Sequence, residues 1–197
     1  LGQRNTQIVP DQTDRKLILY IASSLDGYVA APGDNLDFLQ RVHIEGEDYG
    51  YADFVASVDT VLMGRKTYDW VTRQVDFPHA DKTAYIWTRT PRPSIGTTHF
   101  YTGHLGELIL NLKKQPGKNL FCDGGAELAQ ALLQLDLLDE IIVSIVPIVL
   151  GAGVRLFGDG KPERALRLLS AQTFASGLVQ LHYVLERDSN THATPLL

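Results

Sequence analysis

The 197-residue chain carries 18 basic and 23 acidic side chains, a net charge of −5, with 44% apolar and 21% charged residues. That is the composition of one globular domain long enough to bury a core, and its acidic balance argues against a general nucleic-acid binder. Cys122 is the only cysteine, which excludes an intrachain disulfide framework and fits a reducing compartment.

Residues 1–14, LGQRNTQIVPDQTD, are polar and patternless and read as a flexible arm. The domain is expected over 15–188, with a flexible tail over 189–197. KLILYIASS reads as a buried strand, and LDGYVAAPGDNLDF as a loop punctuated by Gly, Pro and Asp. Over residues 48–58 the apolar Tyr51, Phe54, Val55 and Val58 recur at helical spacing. DTVLMG predicts a second strand, and TYDWVTRQV a second helix with Tyr68, Val71 and Val75 on one face. TAYIWTR and THFYT read as further strands. HLGELILNLKKQPGK is a helix with Leu105, Leu108, Ile109 and Leu112 as its stripe. Lys113 and Lys114 suit its C-terminal dipole, and Pro116-Gly117 stops it.

NLFCDGG is a strand ending in glycines, AELAQALLQLD a helix, and EIIVSIVPIV the most apolar strand. The run IIVSIVPIVLGAGV is broken by proline and glycine, so it does not read as a membrane span. With no charged-then-apolar leader, a soluble cytoplasmic protein is expected. RALRLLSAQTFASGLVQLHYVLE gives two strand-like runs around ASG, a hairpin in which Val179, Leu181, Tyr183 and Leu185 alternate with more polar neighbours. Strand–helix alternation followed by antiparallel strands predicts a three-layer α/β/α domain with a mostly parallel mixed sheet and an antiparallel C-terminal edge.

Three segments at predicted strand ends can carry chemistry, because ligands of open α/β sheets bind beyond the carboxyl ends of the strands. In MGRKT, Gly64 allows a sharp turn, Arg65 can grip a phosphate with its fork of N–H groups, and Thr67 with the helix start offers donors. In CDGGAEL, Gly124-Gly125 leave room for a pyrophosphate against the backbone. In SSLDGYVA, Asp26-Gly27 suggests a tight turn beside a pocket. Each taken alone also reads as an ordinary turn or helix start. Neither GxGxxG after a strand nor a P-loop is present. Two anion-friendly helix starts in one small domain nevertheless suggest a ligand with more than one phosphate. The six histidines show no HxxxH or HExxH spacing and Cys122 has no cysteine partner, so no metal site is expected.

DTVLMGRKTYDWV resembles the strand and helix start of dihydrofolate reductases, an apolar strand followed by Met-Gly-Arg-x-Thr and an aromatic. FCDGGAELAQALLQLDLLDEIIVSIVPIVLGAGVRLF and SLDGYVA resemble the reductase domain of bifunctional riboflavin-biosynthesis deaminase-reductases, over about residues 16–187. The resemblance implies a dihydrofolate-reductase-like fold and NADPH as cofactor. It places Arg65 and Lys66 at the 2′-phosphate, and Thr67 with Gly64 at the pyrophosphate. Thr88 and Arg89 fall on the adenosine phosphate side. Asp123, Gly124, Gly125, Ala126 and Glu127 lie along the pyrophosphate, and Ala22 by the nicotinamide carboxamide. It also implies a homodimer through the apolar C-terminal strands, although burial within one sheet explains those strands equally.

Hydride transfer to C=N or C=O needs a proton source, which dihydrofolate reductases supply from the helix before the MGR strand. Here that helix offers Asp48, Tyr51 and Asp53. Asp48 equally suits a helix N-cap, Tyr51 lies on the apolar stripe and suits core packing more than catalysis, and Asp53 also suits a solvated face. On the substrate side, Asp26, Phe38 and Ser144 are the candidates. Phe38 stands where folate reductases carry tryptophan, and Leu128 replaces an aromatic after the Gly-Gly turn, both departures from folate reduction. No deaminase zinc motif accompanies the domain, and the acidic AAPGDNLD loop would repel a ribose phosphate. The expected function is NADPH-dependent reduction of a small heterocyclic or carbonyl substrate, with a non-catalytic NADP(H)-binding protein as the alternative.

Overall fold

The computed structural model describes residues 15–160 and 163–186. The expected arm over 1–14 and tail over 189–197 lie outside the described residues. Ten strands and four helices alternate: β1 (Leu17–Ser24), β2 (Tyr28–Ala30), α1 (Tyr51–Ala56), β3 (Val58–Gly64), α2 (Arg65–Gln74), β4 (Thr83–Trp87), β5 (Thr98–Tyr101), α3 (Leu105–Lys113), β6 (Asn119–Cys122), α4 (Ala126–Gln134), β7 (Glu140–Val146), β8 (Val154–Arg155), β9 (Leu166–Thr173) and β10 (Val179–Leu185). Eight strands form one sheet in the order β5-β4-β3-β6-β1-β7-β10-β9, and β2 pairs with β8 separately. Pairing is parallel from β5 across to β7 and antiparallel for β7–β10–β9. This is the predicted mixed sheet.

Period-two alternation sends side chains to two cores. On one face Leu17, Leu19, Leu62, Leu120 and Cys122 pack against Leu105, Ile109 and Leu112 of α3 and Leu128, Ala129 and Leu132 of α4. On the other, Ile18, Val61, Ala84 and Phe121 pack against Phe54 of α1, and Met63 and Ile86 against Tyr68 of α2. The layers are therefore α3/α4, sheet, α1/α2.

Several expectations are corrected. The predicted helix over 48–58 is reduced to α1, and Val58 opens β3. Tyr49 and Gly50, at φ 58° and 77°, are left-handed and interrupt the helical path before Tyr51. Helix α2 starts at Arg65, so the GRKT cations lie within its first turn. Val75, placed on its buried face, falls past the helix and is exposed. The long first loop contains β2 and a 3-10 turn over Asp37–Val42.

Opposite the carboxyl ends, Arg15 staples the sheet. Its guanidinium is buried and pairs with Asp59. It also donates to Thr60 Oγ1 at 3.0 Å and to the carbonyls of Lys118 and Leu112 at 2.6 and 3.1 Å.

Candidate active site

Strands β3 and β6 end side by side, and α2 and α4 begin there. The Gly64 N–H donates to the Gly124 carbonyl at 3.0 Å, binding the two strand ends together. Gly124 and Gly125 take φ of 91° and 30°. A β-carbon on Gly125 would stand 2.8 Å from Thr67 Oγ1, so the two helix starts approach as closely as bare backbone allows. The first N–H groups of each helix have no partner within it. Such a cradle of donors and paired dipole ends suits a pyrophosphate, and the residues fit the cofactor expected here. On β1, Ile21 reaches the cradle, its Cδ1 lying 3.4 Å from a β-carbon built on Gly124, while Ala22 sits in register with Ser144 of β7.

The flanking arginines are already engaged. Arg65 pairs with Asp69 at 2.7 Å, and Arg92, which the sequence reading overlooked, grips the same carboxylate at 2.7 and 3.1 Å. Arg89 pairs with Glu127 of α4 at 3.0 Å in an exposed bridge. Lys66 is exposed. Thr88 is buried, and its hydroxyl closes a local turn with the backbone of Thr90.

Asp123 follows β6 on the α1/α2 face. Its N–H is taken by the Leu62 carbonyl, and its carboxylate meets His79 Nε2 at 2.9 Å. His79 comes from the loop between α2 and β4, is 2% exposed, and leaves a buried Nδ1 without a hydrogen-bond partner. Its ring packs edge-on against Phe77 and Phe121. Burial raises the Asp123 carboxyl above its usual range, against the pull of His79. Tyr51 stacks edgewise on Tyr20 and Phe121, with centroids at 5.5 and 6.3 Å. Burial first, then the charge of Asp123, raises its phenol well above the ordinary value. Tyr51, Asp123 and His79 thus gather around Phe121 beside the glycine cradle.

The other candidates have local structural work. Asp48 accepts N–H bonds from Gly50 and Ala52 at 2.9 and 3.0 Å. Those bonds, Ala52 first, hold its carboxyl below the usual range. Asp53 is on the exposed side of α1. Asp26 accepts from Ser24 Oγ and from the N–H groups of Leu150 and Gly151 at 2.6, 3.0 and 2.7 Å, latching the β1–β2 turn to the segment after β7. Phe38 is buried against Val42, Val146 and Leu178. Ser144 is buried and accepts from Gln180 Nε2 at 3.1 Å, within a network joining Tyr20 and the Tyr49 carbonyl. Among the described residues no cluster of metal-ligating side chains occurs, and no helix is long and apolar enough to cross a membrane.

The eight-stranded mixed sheet with helices on both faces is a dihydrofolate-reductase-like α/β fold. Residues 15–180 match the RibD C-terminal domain, and the chain belongs to that family. It is 41% identical over 174 residues to the uncharacterized protein YwjB of Bacillus subtilis (strain 168), covering 87% of this chain and 98% of that one. A solved structure from Shewanella sp. PV-4, named for riboflavin biosynthesis, is 30% identical, with a TM-score of 0.79 over 87% of this chain and 99% of the other. Dihydrofolate reductase from Enterococcus faecalis, solved with NADP(H), shares the fold alone: 12% identity and a TM-score of 0.60, over 87% of this chain and 97% of that one.

Proposed function

We propose that the chain is an NADPH-dependent reductase acting on a C=N or C=O bond of a small heterocyclic or carbonyl substrate, pterin- or pyrimidine-like. The observation that carries this reading is the meeting of the α2 and α4 N-termini over Gly64, Thr67, Gly124 and Gly125. Family membership and the riboflavin-biosynthesis name of the Shewanella protein support a heterocycle. When bound, NADPH supplies the hydride.

The chain's own residues do the rest. Thr67, Ala126 and the helix N–H groups hold the pyrophosphate, and Arg65, Lys66, Thr88 and Arg89 the adenosine side. Glu127 orients Arg89, and Ala22 marks the nicotinamide end. Asp123, whose carboxyl is raised above its usual range by burial, delivers the proton to the acceptor heteroatom, with His79 orienting it and the Tyr51 phenol as the neighbouring hydroxyl donor. Asp48 stays ionised at the start of α1 and Asp26 holds the loop over the pocket, with Phe38 and Ser144 as its packed floor. Leu25 and Val149, both 66% exposed at the rim, offer apolar contact to a flat ring.

A second copy of the chain is the proposed partner. Every residue of β9, the open edge of the sheet, is exposed, including Leu166, Leu168 and Leu169 at 42%, 49% and 45%. An unpaired edge carrying leucines invites strand or face pairing.

Titrating NADPH and NADH against Trp70 and Trp87 fluorescence tests the reading. A preference for NADPH of at least ~10-fold, about 1.4 kcal/mol, followed by NADPH consumption with a member of a pterin and pyrimidine panel, is expected. Binding of neither nucleotide rejects the reading. Tight binding with no turnover across the panel favours the non-catalytic alternative.

A further inference from the structure

Asp69 is an odd residue to find at the mouth of a phosphate site. Helix α2 and the segment 88–92 together carry five cations, Arg65, Lys66, Arg73, Arg89 and Arg92, and Asp69 is their only carboxylate, in a chain whose net charge is −5. Three of the arginines converge on it. Arg92 holds Asp69 with both terminal nitrogens, Arg65 binds Oδ2, and Arg73 Nε donates to the Asp69 carbonyl at 2.8 Å. The bidentate fork is the geometry in which arginine also binds phosphate. Arg92 is further held over the Phe100 ring, 5.4 Å from its centroid.

Helix stability does not account for the arrangement. An arginine four residues before an acid is the weaker order for such a pair, and the second arginine comes from a different segment, 23 residues away. Nor does protonation release the clasp near neutral pH, because the hydrogen bond from Arg92, assisted by its charge and by Arg65, holds the carboxyl below the usual range. The guanidinium donors that a 2′-phosphate needs are therefore occupied by an internal anion.

We propose that Asp69 sets cofactor discrimination by competing with the cofactor's 2′-phosphate for Arg65 and Arg92. In the free protein its carboxylate occupies the phosphate seat, and cofactor uptake exchanges one anion for the other. Asp69 thereby moderates affinity for the phosphorylated nucleotide alone, and Arg92 acts as the second phosphate ligand beside Arg65. This rests on the NADPH reading above and adds to it the residue that tunes the preference.

The test is a set of nucleotide-binding titrations on the full chain, independent of turnover. Asp69→Asn keeps the side-chain shape and should tighten NADPH binding by about 10-fold while moving NADH by less than about twofold. Arg92→Gln should weaken NADPH by about 10-fold and leave NADH unchanged, and in the double variant the gain from Asp69→Asn should disappear. Weaker NADPH binding by Asp69→Asn would overturn the proposal, since the carboxylate would then be orienting the arginines rather than competing for them. Equal shifts for both nucleotides would overturn it too, placing the effect in the helix. An unchanged preference in Asp69→Asn, with wild type still favouring NADPH, rejects this inference and leaves the cofactor reading standing. Wild type binding neither nucleotide rejects both.

Discussion

Gly125 has no room for a methyl group. Its positive φ is strained for an L side chain, and the added carbon would meet Thr67 Oγ1. Gly125→Ala should cost roughly 1–2 kcal/mol of stability and weaken NADPH by about 10-fold or more, read by thermal unfolding and by titration. Tyr51 and Asp123 should separate from that behaviour. Tyr51→Phe and Asp123→Asn are each expected to lower turnover by about 10²-fold while leaving NADPH affinity within about twofold. Loss of binding instead would assign them to the cradle. Gly64, Arg65, Thr67, Gly124 and Gly125 were legible as residues because a turn, a cation and a helix start fall next to one another in the sequence. His79 was not: it stands in the FPHAD segment, which carries no motif, and its partner Asp123 lies 44 positions on. Only folding brings this buried histidine to a half-buried carboxylate.

At the scale of elements, periodicity located most strands and helices but misjudged α1. The apolar spacing from Tyr51 to Val58 is real, yet the left-handed pair Tyr49-Gly50 and the demand of β3 for Val58 shorten the helix from both ends. Small strands such as β2 and β8 carry no periodic signal of their own, since their two- and three-residue lengths depend on one another. The latch made by Asp26 is also invisible locally, because its acceptor bonds reach Leu150 and Gly151. It has a pH signature. The hydrogen bond from Ser24 and those from the two backbone N–H groups bring the Asp26 carboxyl from 3.8 down to about 2. A depressed folded value means the latch contributes fully above the ordinary value and loses its contribution as pH falls toward about 2. Thermal unfolding of wild type and Asp26→Asn should differ most near neutrality and converge at the acid end. A gap that persists at low pH would show that the carboxylate's charge is not what holds the turn.

For the whole molecule, the fold class and its antiparallel C-terminal edge followed from the order of elements, whereas the full exposure of the β9 leucines did not. Alternation in β10 could be read, but the leucines of β9 look as apolar in sequence as those of a buried strand. Leu168→Lys should convert a dimer to a monomer in analytical ultracentrifugation with the secondary structure unchanged. A wild-type monomer would dismiss the pairing. Arg15 governs the other pole. Replacing it by Met removes the donors to the buried Leu112 carbonyl and the part-buried Lys118 carbonyl and leaves Asp59 to Thr60 Oγ1 and the Lys118 N–H. Breaking a buried pair costs 3–5 kcal/mol, and the partial exposure of Asp59 puts the expected loss near the lower bound, about 3 kcal/mol. Urea unfolding measures it, and a loss below about 1 kcal/mol would mean water replaces the guanidinium.

The staple around Arg15 and the cradle around Gly125 lie at opposite ends of the same strands. One end secures the fold with a charged pin, and the other carries the loops and helix starts of the candidate site. A lineage built on this plan can exchange the loops after β1, β4 and β7 without loosening the pin. Its members can then diverge in what they accept long before they diverge in how they fold.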